Sequence, residues 1–233
     1  MTPRASDEPV PQLTRSQREA LAPIYAERLS EHYGDPHAAL EFVNAYQLLI
    51  AVILSAQTTD VGVNKATPAL FKRYPTPAAL AEADQLEVEE YVRTLGFYHQ
   101  KAKNIIRTCQ IIVAEFGGDV PDTMEGLTSL PGVARKTANI VLGEAFGKVE
   151  GIAVDTHVFR LAHRFGLTTE NDQDKVERDL MSIFPPEHWH RVNYDLINHG
   201  RAICTAKRPA CGACFLNDVC PSAFVPASWR QTL

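Results

Sequence analysis

The sequence predicts an all-α protein of many short helices with no internal repeat. Three observations carry this. Apolar residues recur at the 3.6-residue period in segment after segment, alternating strand patterns are nearly absent, and each periodic segment is bounded by a capping residue, a glycine or a proline.

The elements follow in order. Residues 1–14 hold three prolines and mixed charge and are expected to be disordered. Ser16 can cap a first helix with apolar positions Leu21, Ile24, Tyr25 and Leu29, which Gly34-Asp35-Pro36 breaks. A strongly apolar helix is expected over about 45–56, and Thr59 or Asp60 can cap another that runs through Ala69 to Tyr74. Pro75 and Pro77 punctuate the chain. A short amphipathic helix over 85–94 ends at Gly96, and a longer one over 99–116 stops at Gly117-Gly118. Pro131-Gly132 forms a tight turn into a helix with apolar residues Ala134, Ala138, Val141, Leu142 and Ala145. Asp155 caps a helix to Phe165, and two more run over about 174–184 and 189–203.

A chain of 233 residues can bury one sizeable core or two small ones. Its 45% hydrophobic share is that of an ordinary globular protein. A net charge of −5 does not itself point to nucleic acid, but such binding needs a local basic face rather than a basic protein. Residues 1–12 are polar, so no secretory signal is expected. The longest apolar run, 48–54, is too short to span a bilayer, and no membrane partner is expected. Five cysteines in a chain of this cytoplasmic character argue for metal or catalysis before disulfides.

The stretch Leu130-Pro131-Gly132-Val133-Ala134-Arg135-Lys136-Thr137-Ala138 carries the first chemical signal. A turn leading directly into a helix points unpaired amides and the positive end of the helix dipole the same way, which suits a phosphate. Lys136 stands in the first turn, where that dipole disfavours an ammonium and favours a nucleophilic amine. An ordinary surface turn with a solvated Arg135-Lys136 pair fits the same residues. Asp155, in Ala153-Val154-Asp155-Thr156-His157-Val158, is fully accounted for as a helix cap; a catalytic reading needs the same carboxylate near Lys136, which the residues alone do not place there. Cys109, inside an amphipathic helix, reads as a buried free thiol. Cys204, Cys211, Cys214 and Cys220 have the spacing of a four-thiolate metal site, for which zinc and a [4Fe-4S] cluster are both open.

These motifs together resemble the endonuclease III family of helix-hairpin-helix DNA glycosylases. The family's hairpin runs Leu-Pro-Gly-Val-Gly-Arg-Lys-Thr-Ala, so its second glycine is Ala134 here, which is unwelcome if that position needs positive φ or lies hard against a phosphate. Ser55-Ala56-Gln57-Thr58-Thr59-Asp60 is similar to the family segment whose glutamine fills the gap left by an extruded nucleotide, a role that falls on Gln57. Gly96-Phe97-Tyr98 with Lys101-Ala102 resembles its second intercalating loop, with Phe97 as the apolar wedge. Without the resemblance Phe97 reads as a core aromatic. The family's catalytic aspartate stands in the context around Asp155, and the 6-2-5 cysteine spacing matches its [4Fe-4S] loop, which selects the cluster over zinc.

The resemblance implies a helix-hairpin-helix DNA glycosylase fold of two helical domains. Residues 38–148 would form a six-helix barrel domain with the hairpin, and 1–37 with 149–233 the iron–sulfur domain. DNA would lie across the cleft between them, with Lys136 and Asp155 at its mouth. The implied activity is base-excision repair by a DNA glycosylase and AP lyase that removes oxidised pyrimidines through a lysine Schiff base. Its partner is double-stranded DNA containing damaged bases or abasic sites. Expected DNA contacts are Gln57, Phe97, Gly132, Ala134, Arg135, Lys207 and Arg208, with Lys101, Lys103 and Arg107 as further phosphate contacts. A monofunctional adenine-type glycosylase and a non-catalytic DNA-binding iron–sulfur module are the rival readings. The protein is expected to be a monomer, associated with the nucleoid.

Overall fold

A computed structural model describes residues 12–34 and 39–223 of the chain. Among the described residues there are eleven α-helices and no strand. The chain divides into two compact units, Ala38–Glu150 and Met1–His37 together with Gly151–Leu233.

The Ala38–Glu150 unit is built around α2 (Ala45–Leu54), in which all but Ala45 and Gln47 are buried. A helix that is apolar on every side has no face to give to water and becomes the centre of its unit. Asn44 starts it, accepting the Gln47 amide on Oδ1 at 2.9 Å. Around it pack α3 (Asp60–Arg73), α6 (Tyr98–Glu115) and α8 (Arg135–Phe146). Leu48, Leu49, Ile50, Leu54, Ile105 and Leu142 are fully buried there, each contributing about 1.5–3 kcal/mol. Thr59, rather than Asp60, caps α3. The remaining helices of this unit are α4 (Pro77–Ala81), α5 (Gln85–Val92) and α7 (Met124–Thr128). α4 shows what Pro77 does: it occupies the first turn behind a Thr76 cap, where its missing N–H costs nothing. Five residues are too few to display a period, so the sequence shows only the punctuation.

The second unit combines α1 (Arg15–Tyr33) with α9 (Thr156–Arg164), α10 (Gln173–Ile183) and α11 (Trp189–Ala202). Residues 1–11 of the stretch expected to be disordered, and Asp35-Pro36 of the expected helix break, lie outside the described residues. Order is already present at Leu13, which packs over Gly166. The α1 cap is Thr14, not Ser16: Thr14 Oγ1 accepts the Gln17 amide at 3.3 Å, and Gln17 Oε1 accepts the Thr14 amide at 2.8 Å. This reciprocal pair satisfies two helix-end donors; Ser16 also has an acidic partner three residues on, but Glu19 accepts from Arg15 Nε at 2.8 Å and Ser16 already lies inside the helix. Tyr25 stacks on Phe165 with centroids 4.6 Å apart and donates its hydroxyl to the carbonyls of Phe165 and Val219.

Candidate active site and cysteine loop

The hairpin is a type II turn. Val133 N–H donates to Leu130 O at 3.2 Å, and Gly132 has φ +79°, a conformation that excludes most side chains. A Cβ at Gly132 would also come within 3.0 Å of Asn104 Nδ2 on α6. Thr108 on the same helix donates to Pro131 O at 3.1 Å. The turn is therefore held from behind by α6. Ala134 is the N-cap of α8, with extended backbone at φ −85° and ψ 167°, and no side chain caps the helix start. The expected need for positive φ falls on Gly132 and not on Ala134. Alanine and glycine alike lack a capping oxygen, so Ala134 leaves the helix start open to an external anion. Arg135 is half-buried, and Lys136, the second residue of α8, is exposed.

Gln57 and Phe97 share a property that the sequence does not reveal. They are the two non-glycine residues with positive φ among the described residues, at +54° and +58°. Such backbone is uncommon for L-residues and marks strained or functional positions. Gln57 is exposed, and Phe97 is 69% exposed rather than in the core. Their turns adjoin: a Cβ built on Gly96 would lie 3.9 Å from Gln57 O. Lys103 and Arg107 face solvent, but Lys101 is buried and donates to Thr58 Oγ1 at 2.5 Å. Burial holds its ammonium below the usual lysine range. Lys101 is thus withdrawn from the surface contacts expected of it.

In the other unit Asp155 is the N-cap of α9, where Oδ1 accepts the amides of His157 and Val158, both at 2.8 Å. The cap uses Oδ1 alone. Asn193 on α11 donates to Ala153 O, which ties the segment leading into the cap to that helix. His157 is kept below its usual range by burial, against the pull of the Asp155 carboxylate. Lys136 belongs to the Ala38–Glu150 unit and Asp155 to the other.

Cys204, Cys211, Cys214 and Cys220 line one small pocket, together with Arg164, His199 and Asn217. Burial and then the other thiols push Cys220 up to about 12, and Cys214 is raised by burial. Four thiolates do not coexist there unless a cationic group compensates them. A single zinc ion needs all its sulfurs about 2.3 Å from one point. Among the described residues no three His, Cys, Asp or Glu side chains are gathered to hold one ion. Four separate thiols around one pocket suit a polynuclear cluster. Arg164, at the end of α9, donates to Cys204 Sγ at 3.3 Å and to the carbonyls of Cys204, Thr205 and Ala206. It braces the loop that exposes Lys207 and Arg208, and Thr205 Oγ1 accepts the Arg208 amide. His199 is fully buried and pushed down to about 4, chiefly by burial. Its Nδ1 lies 3.0 Å from Tyr33 Oη, and its Nε2 lies 3.5 Å from Cys214 Sγ. With the phenol donating to Nδ1, Nε2–H points at the sulfur. Sequence reasoning singles out neither residue. His199 had a signal, since it continues the apolar face of Val192 and Leu196; Arg164 has none. Cys109 is buried and pushed up to about 12, as expected of an inert core thiol.

The family described as HhH-GPD superfamily base excision DNA repair protein matches residues 50–186. The iron-sulfur binding domain of endonuclease III matches residues 204–220. Endonuclease III of Synechocystis sp. is 52% identical over 195 residues, 84% of this chain and 89% of that protein. Endonuclease III of Escherichia coli strain K12 is 45% identical over 193 residues, 83% of this chain and 91% of that one. A solved structure of a trapped endonuclease III–DNA covalent intermediate has a TM-score of 0.84 at 39% identity, covering 91% of this chain and 97% of that chain. No described helix is long and apolar enough to cross a membrane. Likeness of this depth, over most of both chains and through the cysteine loop, means that the chain belongs to the endonuclease III family of HhH-GPD base-excision repair enzymes, DNA glycosylases and AP lyases that carry a [4Fe-4S] cluster.

Proposed function

We propose that Lys136 is the nucleophile and Asp155 the assisting carboxylate by which this chain removes oxidised pyrimidines from double-stranded DNA and cleaves the resulting abasic sites. The observation that carries this is the position of Lys136, an exposed amine one residue inside an uncapped helix start, behind a turn braced to receive a phosphate. Lys136 Nζ bonds to C1′ as the glycosidic bond breaks, and the base leaves with the electron pair and takes a proton. Asp155 steadies the positive charge that develops on the sugar and receives the lysine proton. Opening of the sugar gives an iminium, which acidifies C2′. Loss of a C2′ proton expels the 3′ phosphate, and water releases the lysine. Gln57 fills the place of the extruded nucleotide and Phe97 wedges the opposite strand, since chemistry at C1′ requires the nucleotide out of the stack. Gly132, Ala134 and Arg135 receive the phosphate backbone at the hairpin, and Lys207 and Arg208 contact it from the cysteine loop. Cys204, Cys211, Cys214 and Cys220 would hold the cluster, which supplies order to that loop rather than electrons. The protein acts as a monomer on the DNA of the nucleoid.

Borohydride reduction tests the reading. Wild-type protein should give a covalent adduct with duplexes holding an oxidised pyrimidine or an abasic site, together with a nicked strand. Base loss from an adenine mispair without adduct or nick would assign it to the monofunctional adenine-type reading, and binding without either product to the non-catalytic one.

The uncapped start of α8 yields a prediction with two signs. Ala134→Asp supplies a capping carboxylate and should stabilise the fold by about 1 kcal/mol. The same carboxylate occupies the amides and repels a phosphate, so DNA affinity should fall about ten-fold, roughly 1.4 kcal/mol. Thermal melts and binding titrations at one salt concentration read both. Unchanged affinity would remove the hairpin amides from the interface.

A further inference from the structure

Lys101 has no part in the chemistry above, yet its burial is unusual. It is 5% exposed, on a helix whose other cations face water, and its Nζ donates to Thr58 Oγ1 at 2.5 Å. Long cationic side chains are rarely fully buried unless paired. Thr58 directly follows Gln57 and is turned back on the end of α2, its amide donating to Ser55 O. A cation is favoured near the C-terminal end of a helix. At the other end of the lysine, its own amide donates to Phe97 O at 3.0 Å. One residue therefore touches both turns whose tips hold left-handed backbone, Gln57 and Phe97. Strained backbone of this kind persists only where its surroundings over-determine it.

We infer that Lys101 is a positioning residue that clasps the Gln57 turn to the Phe97 turn, so that the two side chains enter the duplex as one rigid tool. The inference rests on the roles proposed above for Gln57 and Phe97. Ordering two loose turns against DNA would draw on binding energy needed to unstack a base step. The clasp pre-orders them, and Thr58 is its other half.

The test compares single-turnover excision of one lesion in a fully paired duplex and in an unpaired bulge, where extrusion is already largely met. Lys101→Met removes the ammonium and keeps the stem, and Thr58→Val removes the hydroxyl alone. Lys101→Met should lower the paired-to-bulge rate ratio about ten-fold, and Thr58→Val about three-fold, with the melting temperature held or raised. A 2-aminopurine beside the lesion should report a matching loss of unstacking. A lysine that serves stability alone would lower the melting temperature and slow both substrates equally, and that result overturns the clasp. Should Lys101→Met fail to fold, Thr58→Val decides: an unchanged ratio overturns it. Gln57→Ala and Phe97→Ala run beside them. If these lower the ratio and the clasp variants do not, the clasp alone is wrong. If these leave it unchanged, the roles of Gln57 and Phe97 fall and the clasp falls with them.

Discussion

Lys136→Gln should abolish the borohydride-trapped adduct and reduce strand cleavage by more than about 10³-fold, because no other amine takes over a covalent step. Binding to a stable abasic analogue should stay within about three-fold of wild type, since one exposed charge contributes little affinity beside several phosphate contacts. The fold should not notice. Lys136 is exposed, and glutamine is nearly as good a helix former as lysine. Denaturing gels of the reduced reaction, with melts on the same samples, check all three parts. An adduct that survives in the variant would move the nucleophile elsewhere.

Asp155 gives the second large effect, and two variants separate its two duties. Asn at this position keeps an oxygen for the His157 and Val158 amides, so Asp155→Asn should melt within about 1 °C of wild type. It removes the negative charge, and excision should fall about 10²–10³-fold. Asp155→Ala should show the same kinetic loss together with about 1 kcal/mol less stability, a drop of roughly 2–4 °C for a chain of this size. Full activity in Asp155→Asn would leave the residue as a cap only.

The helical architecture was legible because each long element declares a period. The apolar run of α2, the amphipathic pattern of α6 and the Pro-Gly entry to α8 lie within two residues of where the structure has them. The shorter elements escaped for lack of length, as in α4 and α7. At α1 the sequence offers several hydroxyl and amide side chains, and only the reciprocal Thr14–Gln17 pair in three dimensions shows which one caps. The motif residues stand out by type and spacing, but their backbone does not. Nothing in a glutamine or a phenylalanine announces positive φ, and nothing in the spacing of Ala134 says that it is an extended N-cap. Lys101 misleads for a physical reason. Charge predicts exposure from composition alone, whereas a four-carbon stem can cross an apolar layer to reach a hydroxyl on another turn.

The split course of the second unit bears on how the molecule is made. Tyr25 bonds to carbonyls 140 and 194 residues further along the chain. A ribosome adds roughly 5–20 residues per second, so the N-terminal helix waits about 10–40 s for Val219 to be synthesised. Until Ile152 and the core residues after it emerge, Ala22, Tyr25, Ala26 and Leu29 have nothing native to cover them and are open to a chaperone. The Ala38–Glu150 run has no such wait, since every residue of its core is contiguous. It can close while translation continues. The four cysteines are translated after it, so the hairpin unit has the chance to fold before the chain can gather a metal centre.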